Sequence, residues 1–177
     1  MKLLFKEGDV TNPEESGNLL LIHCANDVPC MGSGVAAAIC KKWPAVRREY
    51  MKWGKNESET FITHKQLRLG EIQVVKVEGD FKQGNGRAVV NLIGQRDVTE
   101  FHGVPPVRYE AVLEGLYKVS DLLDEIPNSV PKINIAMPRI CCSLAGGSWA
   151  KVEDLIKKVF SSRDINITVY DYGPFNP

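Results

Sequence analysis

Residues 18–42 read NLLLIHCANDVPCMGSGVAAAICKK. The first seven, Asn18–Cys24, form a near-continuous apolar run, the pattern of a strand buried on both faces in a parallel sheet. A loop of small residues follows, and from Gly34 to Trp43 the alanine-rich composition predicts a helix. Strand, glycine-bearing loop, helix is the repeating unit of an α/β sheet.

The flanking chain continues this pattern. Lys2–Lys6 reads as a strand before this unit, and Pro44 opens a second helical segment through Met51. Residues 52–69 are polar and irregular. Glu71–Val77 and Arg87–Ile93 read as strands joined through Asn85-Gly86, a strong hairpin signal. From Pro106 to Ile126, Tyr109, Val112, Leu113, Leu116, Val119 and Leu123 recur at helical spacing. Lys132–Met137 is a short β-type run. Trp149, Val152, Leu155, Ile156, Val159 and Phe160 mark a last helix, with Ser148 as its expected N-cap. Glu153 and Asp154 lie early in it and Lys157 and Lys158 late, as the helix dipole favours. Asn166–Asp171 closes the chain as a strand.

The order β-β-α-β-β-α-β-α-β predicts one domain over residues 1–177, a three-layer α/β/α sandwich around a mixed sheet. In such sheets ligands bind beyond the carboxyl ends of central strands. That directs attention to the loops after Cys24, Ile93 and Met137.

Composition narrows the function classes. The 177 residues, 44% hydrophobic and 25% charged, match an ordinary globular domain. The 22 Lys and Arg balance the 22 Asp and Glu, so duplex DNA held by counterion release is not expected. The longest apolar stretches, Leu19–Ile22 and Val35–Cys40, fall far short of the ~20 residues a membrane span needs. The N-terminus meets Lys6 after three apolar residues and carries no signal-peptide core. Five cysteines, Cys24, Cys30, Cys40, Cys141 and Cys142, lack C-x-x-C spacing, so neither a disulfide framework nor a zinc site is expected. A cytoplasmic monomer needing no metal and no cofactor is the resulting expectation.

Two loops have the composition of anion sites. Gly32-Ser33-Gly34-Val35 precedes one helix, and Cys141-Cys142-Ser143-Leu144-Ala145-Gly146-Gly147 precedes another. Small residues let backbone N–H groups approach an anion, and a helix N-terminus favours negative charge. Glycines in either loop alone could serve only the turn; two such loops on one sheet edge favour a diphosphate. Gly32–Ala37 fits the letters G-x-G-x-x-A, but seven residues separate it from Cys24, whereas a dinucleotide fingerprint follows its strand directly.

These segments together resemble the macrodomain family, which binds ADP-ribose. His23-Cys24-Ala25-Asn26 followed by Met31-Gly32-Ser33-Gly34-Val35-Ala36 is similar to that family's first phosphate loop. Pro138-Arg139-Ile140 with Leu144-Ala145-Gly146-Gly147-Ser148-Trp149 is similar to the second loop of the branch that processes ADP-ribose 1″-phosphate. Gly8-Asp9-Val10 resembles an early family motif and Thr168-Val169-Tyr170 the final strand. The resemblance implies that Asp9 accepts a hydrogen bond from the adenine amino group and that the Val10 amide binds a ring nitrogen. It implies that Asn26 holds the distal ribose. The amides of Gly32, Ser33, Gly34 and Val35 and of Cys142, Ser143, Leu144, Ala145 and Gly146 would cradle the diphosphate. Tyr172 would flank adenine. Asp9 could instead only brace the turn after Gly8, and Tyr172 could be an ordinary surface or core residue.

His23 is the titratable residue of most interest, sharing a strand face with Leu19 and Leu21. It reads either as a satisfied half-buried histidine or as a general base. The yeast-type phosphatases that the chain resembles also carry a histidine on this strand. His64 and His102 fall in polar loops. Where the glutamate–ADP-ribose hydrolase branch has a lysine and an aspartate, this chain has Gln95 and Ala145, and Gln95 offers no amine for Schiff-base chemistry. The resemblance therefore points to a phosphatase acting on ADP-ribose 1″-phosphate, with Asn26 and His23 as its expected catalytic residues. The alternatives are a non-catalytic reader of ADP-ribosylated protein, an O-acetyl-ADP-ribose deacetylase and an ADP-ribosyl hydrolase.

Overall fold

The structure is a computed structural model and describes residues 1–57 and 66–173; His64 lies outside the described residues. Among the described residues six strands form one sheet: β1 (Lys2–Glu7), β2 (Asn18–Asn26), β3 (Ile72–Glu78), β4 (Arg87–Gln95), β5 (Ile133–Pro138) and β6 (Asn166–Asp171). Their order is β1-β6-β5-β2-β4-β3, and every neighbouring pair is parallel except β3 with β4. The hairpin signal at Asn85-Gly86 therefore marks the antiparallel pair of a mixed sheet. Its connection is longer than a tight turn, with Phe81–Gln83 forming a 3-10 turn capped by Asp80.

Four helices cover the two faces: α1 (Gly34–Lys42), α2 (Pro44–Gly54), α3 (Tyr109–Glu125) and α4 (Trp149–Phe160). Alternation along β2 divides the core. Leu20 and Ile22 pack with Val112 and Leu116 of α3 and with Ile156 and Phe160 of α4. Leu19, Leu21 and Ala25 pack on the other side with Ile39 of α1 and Val46, Tyr50 and Trp53 of α2. At about 25 cal/mol per Å² of apolar surface removed from water, these two layers dominate the favourable side of folding. They make the three-layer sandwich.

Several boundaries differ from the expectation, each for a local reason. β2 runs to Asn26 and β4 to Gln95, because the ladder between them continues past Cys24 and Ile93. α3 starts at Tyr109, not Pro106: Val107 donates to the Ala145 carbonyl at 3.1 Å and Arg108 to the Gly94 carbonyl at 2.8 Å, so this stretch joins loop and sheet. Ser148 does occupy the N-cap of α4, yet its side chain makes no capping bond and the first turn holds no acid. Glu153 binds the Trp149 indole at 2.8 Å and Lys157 at 2.6 Å instead. No helix among the described residues is long and apolar enough to cross a membrane.

Candidate functional site

A cleft of about 1200 Å³ opens beyond the carboxyl ends of the parallel strands. Asp9 and Val10 line one end, with Arg139, Asp171 and Tyr172 beside them; Asn26, Cys30 and Gln95 line another part. Gly32, Ser33, Gly34 and Val35 of the first loop and Cys142, Ser143, Leu144 and Ala145 of the third also line it. Gly146 and His23 do not.

The amides sort themselves by the bonds the chain already makes. α1 leaves its first N–H groups without intrahelical partners, and its N-cap Ser33 supplies no side-chain bond. Among the described residues, the amides of Gly32, Ser33, Gly34 and Val35 donate to nothing in the chain. In the third loop, Cys142 donates to the Arg139 carbonyl at 3.3 Å and Gly146 to the Ser143 carbonyl at 2.8 Å. Those two expected donors are engaged in the turn itself, which leaves Ser143, Leu144 and Ala145. The backbone there is left-handed at Cys141 (φ 60°), Ser143 (φ 60°) and Gly146 (φ 68°), a conformation costly for residues with a Cβ. The two loops approach each other: a Cβ on Gly34 would sit 3.5 Å from the Leu144 side chain.

Asp9 braces its turn through one carboxylate oxygen and lines the cleft. One carboxylate oxygen, Oδ1, accepts from the Thr11 amide and the Thr11 hydroxyl, both at 2.8 Å, and so braces the turn. Among the described residues the other oxygen has no partner, and it remains an acceptor at the cleft. The Val10 amide likewise makes no bond among the described residues, although its side chain is buried. Tyr172 is 86% exposed at the same end. Sequence reading overlooked its neighbour, a bidentate ion pair in which Arg139 Nε meets Asp171 Oδ1 at 2.6 Å and Nη2 meets Oδ2 at 2.9 Å. The guanidinium also lies 5.4 Å from the Phe5 ring and 5.0 Å from the Trp149 ring, so three elements fix this wall.

His23 is placed elsewhere. It is completely buried, three residues short of the strand end, and its Nε2 lies 2.6 Å from Asn91 Oδ1. Asn91 in turn donates to Gln73 at 2.9 Å, and Gln73 donates to the Glu49 carbonyl at 3.0 Å. A polar ladder thus crosses β2, β4 and β3 to α2 inside an apolar layer. Burial lowers the His23 pKa to about 4, the Asn91 bond opposing that shift. His23 does not line the cleft, and of its two readings, satisfied histidine and general base, these surroundings favour the first. His102 is exposed on a loop, 4.2 Å from the Phe101 ring, and does not line the cleft.

Cysteine chemistry departs from expectation too. Cys24 and Cys141 form a disulfide, with Cα atoms 5.4 Å apart and 117 positions of separation. It joins the end of β2 to the third loop, and both residues line the cleft. Gly94 makes room for it, since a Cβ there would fall 2.8 Å from one sulfur and 3.0 Å from the other. Cys30, Cys40 and Cys142 are free. Among the described residues no cluster of three or more His, Cys, Asp or Glu could hold a metal ion.

No family model matches the chain. A solved macrodomain protein from Streptomyces coelicolor is 31% identical, with 97% of this chain and 100% of that chain covered and a TM-score of 0.75. This chain belongs to the macrodomain family. Among curated proteins, bovine ADP-ribose glycohydrolase OARD1 is 25% identical over 171 residues, covering 96% of this macrodomain and 91% of the relative. The ADP-ribose 1″-phosphate phosphatase of Meyerozyma guilliermondii is also 25% identical over 171 residues, covering 89% and 93%. The match to zebrafish chromodomain-helicase-DNA-binding protein 1-like spans only 15% of that larger protein.

Proposed function

We propose that this macrodomain binds ADP-ribose and hydrolyses the phosphate monoester of ADP-ribose 1″-phosphate. The observation that carries the reading is one cleft containing an acidic turn, two sets of unengaged backbone amides and an anchored asparagine. The free oxygen of Asp9 takes the adenine amino group and the Val10 amide a ring nitrogen. Amides of Gly32–Val35 and Ser143–Ala145 hold the diphosphate from two sides. Asn26 holds the distal ribose. An ionised carboxylate only accepts, while an amide side chain both donates and accepts, so each residue type suits its partner.

Hydrolysis joins water to phosphorus and breaks the bond between phosphorus and the ribose oxygen, giving ADP-ribose and inorganic phosphate. With His23 sealed in the core, the proton passes from the attacking water to the departing oxygen through the phosphate itself. The protein contributes position and donors for developing charge. Two hydrolase relatives of known name support an enzymatic cleft. Gln95 lines the cleft, and among the described residues no lysine does, which disfavours the Schiff-base route.

A second reading, binding of ADP-ribosylated protein without turnover, is favoured by the burial of His23. Purified protein is to be incubated with ADP-ribose 1″-phosphate and released phosphate measured. Steady, enzyme-dependent release is the expected result. Tight binding without release would establish the reader, and release of ADP-ribose from a modified peptide would move the activity to glycosyl chemistry.

A further inference from the structure

Asn26 has a second, hidden neighbour. Tyr50 of α2 is fully buried, and its hydroxyl contacts Asn26 Oδ1 at 3.0 Å, the Val28 carbonyl at 3.1 Å and the Asn26 carbonyl more closely still. The Asn26 Nδ2 donates to the Cys30 carbonyl at 2.8 Å. Both ends of the amide are therefore held, and its orientation is fixed with the oxygen inward. An amide nitrogen carries two N–H groups; one serves Cys30, and the second remains for a ligand.

Tyr50 is itself well anchored. Its ring packs edge-on against Trp53 at 6.5 Å, and the adjacent Glu49 carbonyl receives the end of the His23–Asn91–Gln73 ladder. Four residues further along α2, Gly54 lies so close to the first loop that a Cβ would fall 2.9 Å from the Pro29 ring. Burial pushes the phenol pKa up, which keeps the hydroxyl protonated and able to donate. The hydroxyl has one proton to share among these three acceptor oxygens, so its loss removes that donor from the Asn26 amide oxygen and its neighbours.

We infer that Tyr50 is a positioning residue: it holds the Asn26 amide in the orientation that presents an N–H to the distal part of the ligand. The inference rests on the reading of the cleft as an ADP-ribose site for its consequence, though not for its geometry. The test has two arms, both using the whole chain and Tyr50→Phe, which keeps the ring and removes only the oxygen. In the ligand-free protein, the Asn26 side-chain amide is identified in nitrogen–proton spectra by its loss in Asn26→Ala. Tyr50→Phe is expected to shift those resonances and speed their exchange with water several-fold. Unchanged Asn26 resonances would overturn the inference, whatever the ligand proves to be.

In the second arm, calorimetry measures ADP-ribose affinity for wild type, Tyr50→Phe, Asn26→Ala and the double variant. Loss of one hydrogen bond corresponds to roughly five- to tenfold weaker binding in Tyr50→Phe. Because Tyr50 acts through Asn26, that loss should shrink to about twofold or less when Asn26 is already alanine. Equal losses in both backgrounds would overturn the positioning role. A wild type that ignores ADP-ribose would refute the reading of the cleft, and the spectroscopic arm would still decide Tyr50.

Discussion

Asp9 has two carboxylate oxygens, and the fold uses one of them. Since Oδ1 accepts twice from Thr11, truncation to alanine would remove the turn brace together with any contact to adenine. Asp9→Asn separates the two, because an amide keeps one oxygen for Thr11 and turns the other position into a donor. It is expected to weaken ADP-ribose by about 1.5–3 kcal/mol, the range for a hydrogen bond to a charged group, while melting changes little. Calorimetry alongside thermal melting checks this, and unchanged affinity would leave Asp9 as a turn residue only. His23 makes the opposite kind of prediction. Its folded pKa of about 4 lies below the ordinary value of 6.5, so the unfolded chain takes up the proton first as pH falls. Its contribution to stability is complete above pH 6.5 and is lost progressively between there and pH 4. The difference corresponds to about 3 kcal/mol. Denaturant titrations across that window should show the acid slope in wild type and a flatter one in His23→Gln. Turnover, in contrast, should show no His23-dependent titration near neutrality.

At the scale of elements, the disulfide is the feature that most constrains the site. The Cys24–Cys141 bond closes a very long loop and ties β2 to a segment with left-handed backbone at Cys141. A loop of this order is worth about 4–5 kcal/mol in the chain-entropy account. Reduction, or Cys24→Ser, is therefore expected to lower unfolding free energy by an amount approaching that figure. Stability indifferent to reductant, or five reactive thiols in the unreduced denatured chain, would contradict the bond. Strands and helices were legible because their signals are local: β2 is an apolar run, α4 a 3.6-residue stripe. The disulfide was not, since spacing in sequence says nothing of which strand ends meet. For the same reason the choice at His23 between a satisfied half-buried histidine and a general base stayed open, because its partners Asn91 and Gln73 arrive from two other strands. Tyr50 falls in the helical segment that Pro44 opens, and no local signal marks its hydroxyl as reaching the first loop.

For the molecule as a whole, a balanced net charge means that recognition of an anion must come from short-range donors rather than a general field. The sheet supplies them by bringing the loops after β2 and β5, adjacent strands, to one edge, with Asp9 at the end of β1 two strands further across. The two glycine-bearing loops could be read from sequence as candidate anion sites, and the topology explains why they line one cleft. It also explains why the amides of Cys142 and Gly146, expected as donors, are withheld: the loop needs them to close its own turns. On the proposed reading, a ligand engaging the entire cleft carries an adenine, a diphosphate and a second ribose. Calorimetric titration of the oxidised 177-residue chain with ADP-ribose and, in parallel, with AMP tests this most directly. The account predicts clear binding of ADP-ribose and much weaker binding of AMP, which cannot reach from Asp9 to Asn26; equal affinity for the two would contradict it.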